Sequence, residues 1–398
     1  MRLKIQGRIA LISFLLVNEI QSCYGWGTEG HEIVATIAQM YLHPSALHGA
    51  CAILSPNSLS SGSIPPCHLA NVATWADEIK TQPHYRFSKQ LHFIGAVDDY
   101  PPNTCNFPGP KGWNSKLNVV SGVRNTTTIL RDHNFSRDSS GRAEEALKFL
   151  IHFLGDMHQP LHLSGRQIGG NAVKVTFGGE LTSMLYHKYH GLNFIDYHGG
   201  VFLDLHSVWD DFLIDQKMKE ITPNYTHPLP PRMKVDVELH LQGKNYDPYI
   251  RRLMYDGLGV GPVPGRFVED AVGWLSCPQT PTPSIAHSLQ TAFGLRKSTM
   301  QMEWDDDALC PLAWAKLTQS LNCKFPTWPR ELDEHVPPRR PMEQPVLELD
   351  IPSYSGRIRE GWLVEKLLAQ GGIRLAGILN GIFMPMNETT VLPYIPQL

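Results

Sequence analysis

Apolar residues in this chain recur mostly at helical spacing. In AEEALKFLIHFLGDMHQ they fall at 146, 149, 150, 153, 154 and 157, one face of an α-helix. WLVEKLLAQGGIRLAGILNGIF repeats the pattern at 364, 367, 368, 375, 378, 379 and 382. Gly371 and Gly372 are expected to interrupt it, because glycine weakens a helix interior. Strand signals are sparse; NAVKVTF at 171–177 alternates and reads as a hairpin strand. Proline-rich stretches at 227–232, 277–284 and 335–345 break helices and read as extended surface loops. No second core with its own periodicity lies beyond them, so the last long helix is expected to return to the first core. The pattern predicts a mainly α, multi-helix single domain with a short β hairpin and long proline-rich loops.

One apolar run is of a different kind. Ile9–Val17 is apolar on every side but falls short of the roughly 20 residues that a bilayer span needs. Arg2, Lys4 and Arg8 give it a basic start, and Cys23 and Gly25 are small residues just before Trp26. This layout predicts a secretory signal peptide at 1–25 and a secreted, extracellular domain at 26–398. The tail after Asn380, broken by Pro385, Pro393 and Pro396, offers no membrane anchor.

Export changes the reading of the cysteines. Cys51, Cys67, Cys105, Cys277, Cys310 and Cys323 remain after the signal, an even set that favours disulfides without fixing their pairing. No C-x-x-C pair is present, which argues against a cysteine-bound zinc. Sequons at Asn125, Asn134, Asn224 and Asn387 fit a glycosylated surface. Charged residues are 18% of the chain and the net charge is −3, so no broad basic field draws in a polyanion; such a partner needs a local positive site.

The 18 histidines make a metal the natural source of that charge. In HFLGDMHQPLH (152–162), His152 and Asp156 stand one helical turn apart on one face, a pairing of imidazole and carboxylate that suits zinc. Pro160 then ends the helix and sends His162 on a new path, toward a second ion. DLHSVWD (204–210) repeats the spacing with His206 and Asp210. One such pair can be a polar helix face; two in one exported chain are hard to read as coincidence. Asp77 in TWADEIK lies on an amphipathic segment, and His92 in LHFIG, taken alone, reads as a hydrogen-bonded core histidine.

Together these blocks resemble the trinuclear-zinc extracellular nucleases of the S-one/P-one type. The resemblance runs from Trp26 to QGGIRLAGILN through W-x4-H, WAD, LHF, H-x3-D-x-HQPLH, GGN and LHSVWD, with insertions between. It implies three Zn²⁺ ions: one held by Asp77, His92, His152 and Asp156, one by His162, His206 and Asp210, and one by Trp26 and His31 with Asp156 bridging. After signal removal, Trp26 has a free α-amine that can lose its proton to zinc and chelate it together with its own carbonyl oxygen. His158 and Asn171 are implied as hydrogen-bonding supports. The implied activity is hydrolysis of single-stranded DNA and RNA to 5′-phosphate products, with 3′-nucleotides as further substrates. Asp77 and Lys80 are implied in catalysis, Lys80 near the scissile phosphate, although most lysines are solvated surface residues. Phe93 is implied as a base-stacking platform; a core phenylalanine is the competing reading. The resemblance also implies a Cys105–Cys323 disulfide, after which Cys51–Cys67 closes a local loop and Cys277–Cys310 remains.

Two departures stand out. Some relatives place a base-binding Asp two residues after the aromatic, where this chain has Gly95; Asp98 or Asp99 are candidate substitutes. The chain between Asn171 and His206 is also longer, and its 180–203 insertion, with His187, His190 and His198, reads as a surface hairpin or a lid. A zinc phospholipase C-like phosphodiesterase is the related alternative, but its second His-x3 pair ends in Glu, whereas this chain has Asp210. A catalytically inactive secreted zinc-binding protein would have lost ligands, and none is missing from the pattern.

Overall fold

The computed structural model describes residues 26–55, 66–136, 141–178, 203–221, 225, 227–230, 235–277, 305, 309–325, 327–334 and 346–384. The signal segment, Asn224, Asn387, residues 180–202 of the insertion and most of the proline-rich stretches lie outside them.

The fold is mainly α. Its first half consists of α1 (Thr28–Met40), α2 (Pro44–Leu54), α3 (Trp75–Ile79), α4 (Val119–Ser136) and α5 (Arg142–Asp156). Helix α5 is the central element, in contact with α1, α2, α3 and α4. The apolar positions predicted from its periodicity (Ala146, Phe149, Leu150, Phe153, Leu154 and Met157) are all buried. Each large one contributes about 1.5–3 kcal/mol relative to exposure. The helix ends at Asp156, and Pro160 opens a 3₁₀ turn, Pro160–Leu163, where its missing N–H costs nothing.

A second helical run is continuous but irregular: α6 (Leu205–Ser207), a π-type turn over Val208–Phe212, then α7 (Leu213–Glu220). Asp204 starts it by accepting the Ser207 N–H at 2.7 Å. The strand expected at 171–177 is β1 (Lys174–Thr176), which pairs antiparallel with β2 (Leu203–Asp204) and parallel with β3 (Leu347–Glu348). The sheet is thus a hairpin extended by a strand from far along the chain.

Beyond α8 (Pro311–Gln319), the long helix α9 (Leu363–Phe383) packs on α1 and α5 and so returns to the first core. It runs unbroken through Gly371 and Gly372, contrary to the interruption expected from the sequence. The reason is close helix contact. A Cβ on Gly372 would stand 2.6 Å from Ile37 Cγ2 and 3.0 Å from the Val34 carbonyl oxygen. Packing against α1 outweighs the weak helix propensity of the pair.

One apolar cluster extends from Trp26 to Ile382. Three disulfides staple it: Cys51–Cys67, Cys105–Cys323 and Cys277–Cys310. Asn125 and Asn134 are exposed on α4, and the Asn134 amide donates to Ile382 O at 2.7 Å. No described helix is long and apolar enough to cross a membrane.

Candidate metal centre

The helices converge on a buried set of imidazoles and carboxylates. His31 comes from α1, Asp77 from α3, and His92 from the end of the 3₁₀ segment Pro83–His92. His152 and Asp156 come from α5, His162 from the turn after Pro160, His206 from α6 and Asp210 from the π-type turn. Three groups emerge with donor atoms mutually within 4.8 Å: His31–His152–Asp156, Asp77–His92–His152 and His162–His206–Asp210. His152 belongs to two of them, with its ring stacked on that of His31 at 3.7 Å. The Asp156 carboxylate is divided: Oδ1 lies 3.4 Å from His31 Nε2, while Oδ2 lies 3.0 Å from His92 Nδ1 and 3.4 Å from His152 Nε2. Asp77 Oδ1 stands 3.4 Å from His152 Nε2 and 3.5 Å from His92 Nδ1. His206 Nε2 is 3.4 Å from Asp210 Oδ2.

Backbone carbonyls set the tautomers. His152 Nδ1 donates to Ala73 O at 2.7 Å, His162 Nδ1 to His92 O at 2.6 Å, and His206 Nδ1 to Gly169 O at 2.6 Å. Each ring therefore turns its Nε2 inward, the arrangement that orients metal-binding histidines. The Nε2 atoms of His162 and His206 face each other at 2.9 Å. With both Nδ1 protons committed, a proton shared between the two Nε2 atoms or a metal ion bound by both relieves the opposition of their lone pairs.

The donor set fits zinc. Donors about 2.0–2.1 Å from a tetrahedral zinc stand about 3.3 Å apart, close to the spacings here. Both ring nitrogens of His31 and His92, Nε2 of His152 and both oxygens of Asp156 are buried with no hydrogen-bond partner among the described residues. Leaving such groups unpaired is costly, and a bound cation removes that cost. Burial pushes the His31 and His92 imidazoles below their ordinary pKa. Burial also opposes protonation of His152, but Asp156 and Asp77 outweigh it and push this ring up to about 9. Burial likewise disfavours the charged carboxylates, yet His152 overrides it and holds Asp77 and Asp156 well below the usual range, aided by Lys80 and His92 respectively.

The surroundings add one residue that the sequence reading passed over. Gln159 is fully buried; its Nε2 donates to Asp210 Oδ1 at 2.7 Å and its Oε1 accepts the Leu161 N–H at 2.5 Å. Asn171 acts at one remove, donating to Ile168 O at 2.8 Å and bracing the turn whose Gly169 carbonyl holds His206. His158, expected as a hydrogen-bonding support, bonds Leu154 O at 2.6 Å and Arg374 at 2.7 Å. Burial and the Arg374 charge push it down to about 3, so it is a neutral link between α5 and α9. Trp26 is fully buried, and the next residue, Gly27, donates its N–H to Asp210 O at 2.9 Å, so the N-terminal turn rests on the second His-x3-Asp pair.

A family model for the S1/P1 nucleases matches residues 26–247, which include every residue of these three groups. The chain belongs to the S1/P1 nuclease family. It is 39% identical to nuclease S1 of Aspergillus oryzae over 177 residues, 44% of this chain and 58% of that protein. It is 36% identical to nuclease P1 of Penicillium citrinum over 188 residues, 47% of this chain and again 58% of the relative. The matched part thus spans little more than half the length of these two fungal proteins. Endonuclease 3 of Arabidopsis thaliana is 26% identical over 384 residues, 94% of this chain and 95% of its own length.

In this member of the S1/P1 nuclease family the remaining predicted residues, Lys80 and Phe93, stand beside the donor groups. Lys80 is not a solvated surface lysine: it is 3% exposed and its Nζ lies 2.6 Å from Asp77 Oδ1. Phe93 is not a core residue either; it is 37% exposed and lines a pocket of about 120 Å³ together with Gly95, Asn114, Asn118, Ser164 and Ile168. Ile168 was not anticipated. It is 61% exposed, and it and Gln167 have φ values of 58° and 48°, a costly left-handed conformation for a β-branched residue.

Neither Asp98 nor Asp99 lines this pocket. Asp99 is buried, accepting from Gln319 Nε2 at 2.8 Å and from Asn106 N at 3.1 Å, and burial pushes it up to about 7. The departure at Gly95 has a steric basis: a Cβ there would stand 2.8 Å from both Gly165 Cα and Asn114 Nδ2.

Proposed function

We propose that the chain is a secreted, zinc-dependent phosphodiesterase that hydrolyses single-stranded DNA and RNA to 5′-phosphate products and also acts on 3′-nucleotides. The observation that carries this reading is the placement of three donor groups beside an open aromatic pocket, with Phe93 next in sequence to His92. Asp77, His92, His152 and Asp156 would hold one zinc, and His162, His206 and Asp210 a second. Trp26 and His31 would hold a third, with Asp156 bridging; the division of the two Asp156 oxygens between His31 and the His92–His152 pair supports that bridge. The Trp26 amine serves in this role only when the chain has been cut after Gly25.

Bound zinc supplies Lewis acidity toward a phosphoryl oxygen and lowers the pKa of water. The chain's own residues orient the reaction. The three carbonyl-anchored histidines keep fixed tautomers, and Gln159 fixes Asp210. Lys80, held against Asp77, adds positive charge at the edge where a phosphate arrives. Phe93 stacks a base at the rim, a sequence-tolerant contact that requires an unstacked base and so favours single strands. The test is turnover of heat-denatured DNA, duplex DNA, a 3′-nucleotide and phosphatidylcholine by the zinc-loaded, processed protein. Rapid hydrolysis of the denatured DNA and the 3′-nucleotide is expected. Preferential hydrolysis of phosphatidylcholine would replace this reading with a phospholipase.

A further inference from the structure

Two aromatic rings and a guanidinium form a stack that the metal centre does not use. Trp328 is 1% exposed and forms its floor. The Arg166 guanidinium is the middle layer, 4.6 Å from the Trp328 ring centroid and 4.0 Å from that of Tyr100. Tyr100 is the top layer and is 53% exposed. One face of its ring is covered by the guanidinium, and the residue is still half exposed. Arg166 is itself fixed by a hydrogen bond from Nη1 to Pro101 O. The backbone beneath the ring is closed on both sides: Tyr100 N donates to Thr104 O at 2.8 Å, and Thr104 N donates to Tyr100 O at 2.9 Å. The Cys105–Cys323 disulfide anchors the next residue. An aromatic ring held in this way has little side-chain freedom left to lose when a ligand stacks on it.

The stack also adjoins the Phe93 pocket. Arg166 follows Gly165 and precedes Ile168, both of which line that pocket. On the other side, the segment from Gly95 to Tyr100 spans at most about 18 Å even if fully extended. Val97, between the two in sequence, is 52% exposed, so Phe93, Val97 and Tyr100 are three exposed apolar residues within one short stretch of chain. A flat exposed aromatic over a guanidinium is what a nucleobase stacks on, with sequence tolerance because every base has a π-face.

We propose that Tyr100 is a second base-stacking platform, which takes a base of the same single strand outward from the one at Phe93. This rests on the single-strand reading above and deepens it: the site grips more than the nucleotide at the cut. The platform engages oligonucleotides and plays no part with a 3′-mononucleotide, which is too short to reach it.

The test uses the full, zinc-loaded protein and its Tyr100→Ala and Tyr100→Phe variants. KM is measured on a single-stranded oligonucleotide and on a 3′-mononucleotide, and a fluorescent phosphorothioate single strand reports binding by anisotropy. Tyr100→Ala is expected to raise the oligonucleotide KM and the anisotropy Kd about ten-fold and to leave the mononucleotide KM unchanged, while Tyr100→Phe matches the parent. Unchanged oligonucleotide binding in Tyr100→Ala overturns the proposal. So does an equal loss on both substrates, which would mark a purely structural residue. If the parent binds the single strand in a Tyr100-dependent way but hydrolyses nothing, the platform stands and the phosphodiesterase reading fails.

Discussion

Replacing Gln159 by alanine removes two contacts at once, and their geometry sets the size of the effect. The side chain is fully buried and joins Asp210 Oδ1 to the Leu161 N–H. Losing a hydrogen bond to a charged group costs about 1.5–3 kcal/mol, and stranding a buried backbone N–H about 1–3 kcal/mol. The metal-free variant is therefore expected to lose roughly 3–5 kcal/mol of unfolding free energy in urea titrations. Groups that orient ligands typically change metal affinity about 10- to 100-fold, and the loss should fall on one ion, the one held by His162, His206 and Asp210. Chelator competition resolves this as one zinc released early. Gln159→Glu keeps an acceptor for Leu161 but sets a carboxylate against Asp210, so it should recover part of the stability and none of the selectivity for Asp210. If Gln159→Ala holds all its zinc with parental affinity, Gln159 does not position Asp210.

Gly372→Ala should destabilise the fold: its Cβ would meet Ile37 at 2.6 Å, and overpacking of about 1–3 kcal/mol outweighs the gain of about 1 kcal/mol in helix propensity; a higher Tm would contradict the close α1–α9 contact. Asp99 has a folded-state pKa raised to about 7 by burial, so its contribution to stability is complete below its unfolded value near 4 and is lost as pH rises through 7. Asp99→Asn should thus stabilise the metal-free protein at pH 8 and not at pH 4, and equal effects in urea titrations at both would refute the assignment. His152 is pushed to about 9 in the metal-free site, so zinc binding at pH 7 should displace its proton. Calorimetry in buffers of different ionisation heat should read more than the one proton that the Trp26 α-amine supplies, and a release of one or fewer would mean that His152 is already neutral.

What the sequence disclosed was mostly local. His152–Asp156 and His206–Asp210 are visible because residues four apart on a helix share a face, and they converge even though the second pair runs into a π-type turn. The faces of α5 and α9 followed from periodicity. The convergence of Asp77 and His92 on α5 depends on tertiary packing, and only the family motifs pointed to it. Gln159 stayed hidden within HQPLH because its partner, Asp210, lies on another element. Gly371 and Gly372 were misjudged because propensity counts a missing Cβ as a loss, whereas packing on α1 requires it to be missing. Strands β2 and β3 are two residues each, too short for alternation to register.

The most direct test of the metal centre is zinc content per chain, measured by elemental analysis of the correctly processed protein and of its Asp156→Asn variant. Asp156 divides its two oxygens between His31 and the His92–His152 pair, so under the proposed bridge one substitution would touch two ions. The expected result is three zinc ions in the parent and a loss of at least one in the variant, together with single-strand hydrolysis. Equal zinc content in the two proteins would contradict a bridging Asp156 and the trinuclear centre built on it.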